Sequence, residues 1–323
     1  LHRGIEKLAE HREYTALQTL VPRADYAAGI LCETAVAHSI EALGEIEVPE
    51  RAQWLRALVG EVNRMASHYL WLGPLGLDSG AMAPFLYMTR EREACLEILE
   101  SLAGQRLTYN YVRAGGVAHD MNADAEAKIR KYLKTIHQYL EEHHTVLMKS
   151  ELFQARTQGI SIVTREEALS AGATGFVARA SGIDYDLRRD RPYGPYDKLD
   201  FNVAVEEGGD TWARVLVRYD ELVQSARMIE QLIDGLPEGD YKAKMPRVLR
   251  LPKGEGYGYV EGARGEIGIH IYSDGTSKPA RFRYRSPIQY HLSIADATIP
   301  GGFIADGIVG LGSFDFCFGE VDR

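Results

Sequence analysis

A chain of 323 residues, 45% of them apolar, is long enough to bury one large core or two moderate ones. Its formal net charge of −9 runs against tracking a phosphate backbone, which needs clustered Lys and Arg, so nucleic acid is not an expected partner. Three widely spaced cysteines, Cys32, Cys95 and Cys317, fit neither a secreted disulfide framework nor a thiolate cluster site and point to a reducing compartment.

The chain opens LHRGIEKLAE, with neither an initiator Met nor an apolar signal region, which reads as an internal start of a longer product. A helical pattern runs from about Tyr26 to Leu43. Val48-Pro49-Glu50-Arg51 then restarts a helix, with Pro near its first turn and an acid at its positive end. Trp54, Leu55, Leu58, Val59, Val62, Met65, Ala66, Tyr69 and Leu72 recur at helical spacing over much of its circumference, which predicts burial. On the same helix Glu61, Arg64 and His68 share one stripe. That stripe is either an internal ion pair beside a satisfied histidine or a proton-accepting site near a redox centre, since imidazole titrates near neutral pH.

The stretch Tyr69 to Met88 is long enough to span a bilayer and carries one charge, Asp78. Gly73, Pro74, Gly76, Gly80 and Pro84 interrupt it, and a helix in hydrocarbon must satisfy its own backbone, so a loop between two buried helices is expected instead. A third helix is predicted from about Pro84 to Leu102 and a fourth, charged on most faces, from about Asn122 to Gln154. His143 and His144 in that helix lack the i, i+4 geometry of paired ligands and read as solvated surface; no metal is expected there.

After a short helix from Thr164, the segment TGFVARASGIDYDLRRDRPYGPY reads as loop, with its Arg and Tyr serving an interface or buried ion pairs. A helix follows from about Asp210 to Leu236. Beyond Pro252, alternation in GYGYVEGARGEIGIHIYSD and ARFRYRSP, separated by Asp274-Gly275-Thr276-Ser277, predicts antiparallel strands joined by a turn. IPGGFIADGIVGLGSF returns to a short apolar helix. The fold class is α+β, mainly α, with a small antiparallel β element. A single domain is expected, with a helical core over 1–160, the Gly/Arg loop and its helix over 161–251, and the small sheet and C-terminal segment over 252–323.

The run Gly254-Glu255-Gly256-Tyr257-Gly258 does not have the G-x-G-x-x-G spacing of a dinucleotide turn and leads into strand, so NAD binding by that device is not predicted. No C-x-x-C occurs, so the chain is expected to carry no metal cluster of its own and to receive electrons from a cofactor on a neighbour.

The segments LHRGIEKLAEHREY, VPRADY, EVPERAQWLRALVGEVNRMASHYLWLG, LDSGAMAPF, RERE, VRAGGVAHD, RASGIDYDLR, ARGEIG and FGEVDR occur in order from Leu1 to Arg323. Together they resemble the complex I subunit that shares ancestry with the large subunit of nickel-iron hydrogenases. The resemblance implies a hydrogenase large-subunit-like fold whose N-terminal β region precedes this chain. It also implies a subunit without a prosthetic group, which forms a quinone pocket with a cluster-bearing small subunit holding the last [4Fe–4S] centre. Other peripheral-arm subunits and the membrane subunit of the quinone channel are the further partners implied. The place implied is the cytoplasmic, or matrix-equivalent, side of an energy-converting membrane.

By motif, Tyr26 of VPRADY matches the tyrosine that bonds the quinone headgroup. Asp78 of LDSGAMAPF matches the aspartate that pairs with a quinone-binding His, itself upstream of this chain. Arg23, Arg64 and His68 match positions near the terminal cluster. The residue types suit the chemistry, because a Tyr hydroxyl stays protonated at neutral pH and can donate to the charge that develops on a reduced quinone oxygen. Read without the resemblance, Tyr26 is an interface or core tyrosine and Asp78 a turn or cap aspartate before Ser79-Gly80. One rival is a nickel-iron hydrogenase large subunit, which would place paired cysteines near Asp25 and Ala28 and near Cys317 and Glu320, where only Cys317 is present. The other is a scaffold subunit without quinone chemistry. NADH, ferredoxin and a deazaflavin all stay open as donors, because donor binding belongs to other chains.

Overall fold

The computed structural model describes residues 3–323. The segment from LHRGIEKLAEHREY that falls on residues 1 and 2 lies outside the described residues. The longer helices are α1 (Gly29–Gly44), α2 (Glu50–Asp78), α3 (Met82–Ala103), α4 (Ala123–His143), α5 (Thr211–Asp234), α6 (Pro287–Thr298) and α7 (Ile304–Ser313). One three-stranded antiparallel sheet, β1 (Gly254–Glu261), β2 (Glu266–Ser273) and β3 (Arg281–Arg285), stands in the order β1-β2-β3. This is the mainly helical α+β class that the sequence predicts.

α2 is the axis of the molecule. Its residues from Leu55 to Tyr69 are almost all buried, with α3 and α5 packed along it and α7 against its C-terminal part. The predicted loop over Tyr69 to Met88 is not formed. α2 runs on through Gly73, Pro74 and Gly76 to Asp78, and only Ser79–Ala81 separates it from α3. The small residues that argue for a break are instead the points where α3 comes closest. A Cβ on Gly76 would lie 3.0 Å from the Pro84 Cβ, and one on Gly73 3.4 Å from the Met88 Cβ. Pro74 leaves a carbonyl in the preceding turn without its usual donor, and the packing of the hairpin carries the helix past it. The reversal falls at Gly80, whose φ of +89° suits a residue without a side chain.

Other boundaries move for local reasons. α1 begins at Gly29 and not at Tyr26, because Pro22 lies against Gly29 and the Asp25 carboxylate takes the Ala28 N–H at 3.2 Å. Tyr26 is thereby held in the loop before the helix. α4 ends at His143 in a π-helical turn, and Ser150 caps a new short helix, Glu151–Ala155. The Gly/Arg/Tyr segment read as loop contains the short helices Gly175–Ala180 and Leu187–Asp190, and its Arg179 and Arg188 are buried in ion pairs. α6, with Pro287 in its first turn, lies in a stretch for which the sequence pattern predicts no helix.

The sheet is laid directly on α1. Gly256 and Gly258 of β1 face its backbone, and a Cβ on Gly258 would fall 2.3 Å from both the Ala35 carbonyl oxygen and the Ser39 nitrogen. The turn between β1 and β2, Gly262–Gly265, is closed by paired backbone hydrogen bonds and brings Arg264 inward against α2. Overpacking a close contact of this kind costs about 1–3 kcal/mol. Gly258→Ala is therefore expected to lower the denaturant midpoint by a corresponding amount. Gly302→Ala, where a Cβ meets nothing nearer than 3.8 Å, is the control and should barely move it.

Candidate quinone cavity and the buried charges behind it

A cavity of about 550 Å³ opens where three parts of the chain meet. The loop before α1 supplies Tyr26 and Ala27, and the end of α2 supplies Leu70, Trp71, Pro74, Leu75 and Asp78. The C-terminal stretch from Ile308 to Phe318 closes the third side, with Arg264 at the back. α7 is tied to α2 by the Trp71 indole N–H, which donates to the Gly312 carbonyl at 2.8 Å. A Cβ on Gly312 would sit 3.5 Å from an Asp78 carboxylate oxygen, so glycine there leaves the acid open to the cavity.

Tyr26 and Asp78, distant in sequence, thus line one space. Tyr26 is 48% exposed, and its hydroxyl is pushed above the ordinary tyrosine range first by the adjoining Cys317 side chain and then by partial burial. Partial burial alone raises the Asp78 carboxyl.

Arg23, Arg64 and His68 do not line this cavity. The Arg23 guanidinium turns back to the Thr19 carbonyl in the preceding turn. Arg64 and His68 lie inside the protein. Arg64 donates to the Glu61 carboxylate at 3.1 Å and to the backbone carbonyls of Glu261 and Gly262 at 2.7 and 3.0 Å. Arg64 and Arg188 hold Glu61 down at about 2, against burial that acts in the opposite direction.

His68 leaves the stripe for a different partner. Its Nε2 meets the Glu221 carboxylate at 2.6 Å, and the Arg218 guanidinium approaches its Nδ1 at 3.1 Å. A guanidinium can only donate, so Nδ1 accepts and Nε2 carries the proton, which is a neutral tautomer. Burial, with Arg218 adding to it, lowers His68 to about 3.

These residues belong to one buried chain of charges that starts at the cavity wall. Arg264 pairs with Asp25 at 2.9 Å and with Asp315 at 3.1 Å. Asp315 pairs with Arg218 at 2.8 Å, and Arg218 leads through His68 to Glu221. Glu221 pairs with Arg179, Arg179 with Glu261 at 2.8 Å and with Asp186 at 3.4 Å, and Asp186 with Arg188 at 2.7 Å. Arg188 returns to Glu61, whose remaining partners are the Tyr196 and Ser225 hydroxyls at 2.7 Å each.

Sequence reasoning leaves Arg218, Glu221, Arg264 and Asp315 unassigned. A signal exists for part of the set. Arg214, Arg218, Glu221 and Ser225 recur on the otherwise apolar face of α5, and charges there demand partners. Arg264 and Asp25 lie inside the motifs ARGEIG and VPRADY, but nothing in their spacing joins them.

A second cavity, of about 320 Å³, lies between α1, the start of α2, Tyr193–Tyr196 and β1. It is lined by His38, the Glu41–Arg56 ion pair and several tyrosines, and by none of the sequence-predicted site residues. Tyr196 joins it to the far end of the charge chain.

The family model described as "Respiratory-chain NADH dehydrogenase, 49 Kd subunit" matches residues 78–251 and 245–323. Relatives that are D-type subunits of NADH-quinone oxidoreductase match along the whole chain. The one from Clostridium beijerinckii is 41% identical over 323 residues, covering 100% of this chain and 87% of the relative. Those from Desulforamulus reducens and Geobacillus kaustophilus are 40% and 42% identical, each covering 100% of this chain and 88% of the relative. The chain belongs to the 49 kDa subunit family of respiratory-chain NADH dehydrogenase. It is one subunit of a multisubunit oxidoreductase. Among the described residues no helix is long and apolar enough to cross a membrane.

One histidine expected at the surface is buried. His143 is 1% exposed, both ring nitrogens lack a hydrogen-bond partner among the described residues, and its ring meets Tyr69 edge-on at 5.6 Å. The π-helical turn that begins at His144 lets the two neighbours diverge, and His144 stays exposed. Burial, assisted by Arg90, lowers His143 to about 4 from 6.5. A histidine depressed in the folded state contributes fully above its unfolded pKa, and that contribution is lost as pH falls from about 6.5 toward 4. Replacement by His143→Phe should recover about 2 kcal/mol of unfolding free energy at about pH 5, and little at about pH 8. Denaturant titrations of both proteins at the two pH values provide the measurement; equal acid losses would contradict the assignment.

Proposed function

We propose that this chain forms the quinone-reduction pocket of a proton-pumping NADH-quinone oxidoreductase of the complex I type. The observation that carries the reading is that Tyr26 and Asp78 line one cavity with an apolar wall and a buried cation, Arg264, behind it. Such a space can hold a flat apolar ring with carbonyl oxygens at its edge, and its polar groups can orient that edge.

Tyr26 is the proton donor to the reduced quinone oxygen. Asp78 orients and charges the quinone-binding His. Arg264 and Arg218 supply positive potential toward the negative charge that reduction brings, and a low-dielectric interior strengthens it.

The electrons come from the terminal [4Fe–4S] cluster of the neighbouring small subunit. The cavity mouth favours a neighbour there, because Ile308, Leu311 and Phe318, which line it, are about half exposed, and large apolar side chains left in water at a cavity mouth mark an interface. The membrane subunit of the quinone channel and the other peripheral-arm subunits complete the assembly, on the cytoplasmic or matrix-equivalent side of an energy-converting membrane. Arg23, Arg64 and His68 belong to the cluster side of the reading. Arg64 and His68 are enclosed by their own chain, so neither touches that cluster; Arg64 acts through its charge, and the neutral His68 only through its hydrogen bonds to Arg218 and Glu221.

Removal of a general acid typically lowers turnover about a hundredfold or more. Tyr26→Phe is expected to do so in the assembled complex while leaving subunit composition unchanged. Quinone reductase turnover equal to that of the unaltered complex would remove Tyr26 from the chemistry. The hydrogenase alternative predicts stoichiometric nickel, which metal analysis of the purified complex would detect.

A further inference from the structure

The chain's last helical turn, Phe318–Val321, folds back beside the loop that carries Tyr26. Gly319 makes this possible, since a Cβ there would fall 2.5 Å from the Ala24 carbonyl oxygen. The next residue, Glu320, is fully buried. Its Oε2 accepts from the Ser286 hydroxyl at 2.9 Å, whereas its Oε1 has no donor among the described residues. The Glu320 carboxyl lies close enough to that of Asp25, which is also fully buried, for the two to interact. Both Asp25 oxygens are taken by Arg264 at 2.9 Å, and one of them also by the Ala28 N–H.

Two carboxylates facing one another in an interior without a second cation do not both ionise. The groups around Glu320 are Asp25 and Cys32 from the loop and α1, Arg264 from the hairpin turn, Tyr284 and Ser286 at the end of β3, and Cys317 just before it. Arg264 is the sole cation among these groups and already serves Asp25 and Asp315. An unpartnered Oε1 on a buried carboxyl beside a second carboxyl is the arrangement of a protonated acid.

We propose that Glu320 holds a proton on Oε1, shared with Asp25, and that this proton restores Tyr26 after each donation into the cavity. Burial, and then Asp25, raise the Glu320 carboxyl well above the ordinary carboxylate range, while Arg264 and Ser286 act against this without reversing it. Cys317 connects the two sites: it lines the cavity with Tyr26, its Sγ–H donates to the Ala24 carbonyl at 3.4 Å beside Asp25, and it interacts with both Asp25 and Glu320.

The step balances as a proton transfer. The Tyr26 O–H bond breaks as an O–H bond forms on the reduced oxygen of the acceptor, whose electrons the oxidoreductase supplies. The Glu320 O–H bond then breaks as the Tyr26 phenol re-forms, leaving a carboxylate beside Arg264, which later takes a proton from solvent. Glu320 acts through Tyr26 and is a positioning residue for the proton, not a catalytic one.

This inference rests on the quinone reading of the cavity, and the experiment separates the two. Glu320→Gln keeps the shape and can still donate an N–H to Asp25 and accept from Ser286, but it holds no transferable proton. In the intact purified complex it is expected to lower quinone reductase kcat about tenfold with KM unchanged. It should also abolish the plateau of the pH–rate profile, so that the rate falls with pH throughout. Ser286→Ala removes the one hydrogen bond that favours ionised Glu320 and should move the alkaline limb of the profile to higher pH.

Unchanged kcat and plateau in Glu320→Gln, with turnover lost in Tyr26→Phe, would overturn the role of Glu320 and leave the cavity reading standing. Retained turnover in Tyr26→Phe would overturn both. Should Glu320→Gln fail to assemble, the Ser286→Ala profile decides, and an unmoved limb would overturn the proposal.

Discussion

The requirement that no buried charge be left alone organises this protein. Among the described residues seven arginines are 4% exposed or less, and five of them, Arg64, Arg179, Arg188, Arg218 and Arg264, belong to the charge chain. Each is paired with carboxylates or carbonyls from a different part of the chain, although the Nε of Arg179 and of Arg218 has no partner among the described residues, so the pairs can form only when α2, α5, the Arg-rich segment and the β1–β2 turn are in register. Such pairs give little net stability, because desolvation offsets their attraction, but breaking one costs about 3–5 kcal/mol. Their effect is to exclude other arrangements of the same helices.

That constraint also builds the cavity. Arg264 is drawn inward by Asp25 and Asp315, and this brings the loop before α1 and the chain's C-terminal stretch to the same side of α2. Tyr26 is left on the rim of the resulting space, with Asp78 across it at the end of α2. A cation at the back, a phenol at the front and a carboxylate at the end of α2 line this space, an arrangement that suits the proposed acceptor. Asp25, Cys317 and Glu320 converge beside it, around the buried Arg264 guanidinium.

Helix α2 was legible in the sequence because its apolar residues follow one period over many turns, and the sheet was legible from alternation. The α2–α3 reversal was not, because Gly73, Pro74 and Gly76 signal a break locally while acting as contact points for a partner helix. The stripe Glu61, Arg64, His68 was legible as a stripe, but its pairing was not. His68 joins Glu221 on α5, a partner 153 residues away that no spacing rule reaches. The same holds for Arg264 with Asp25, which are 239 residues apart. Tyr26 and Asp78 were reached by motif resemblance, and only the fold brings them into one space.

The central claim is that the space bounded by Tyr26, the end of α2 and the C-terminal stretch receives the quinone. Photoaffinity labelling of the assembled complex with an azido-substituted short-chain quinone, mapped by mass spectrometry of this chain, tests it directly. The expected adducts fall on Tyr26–Ala27, on Leu70 to Asp78 or on Ile308 to Phe318, and are displaced by unlabelled quinone. Displaceable labelling confined to residues outside that space, such as His38, Tyr193, Tyr196 and Tyr259 of the second cavity described, would contradict the account.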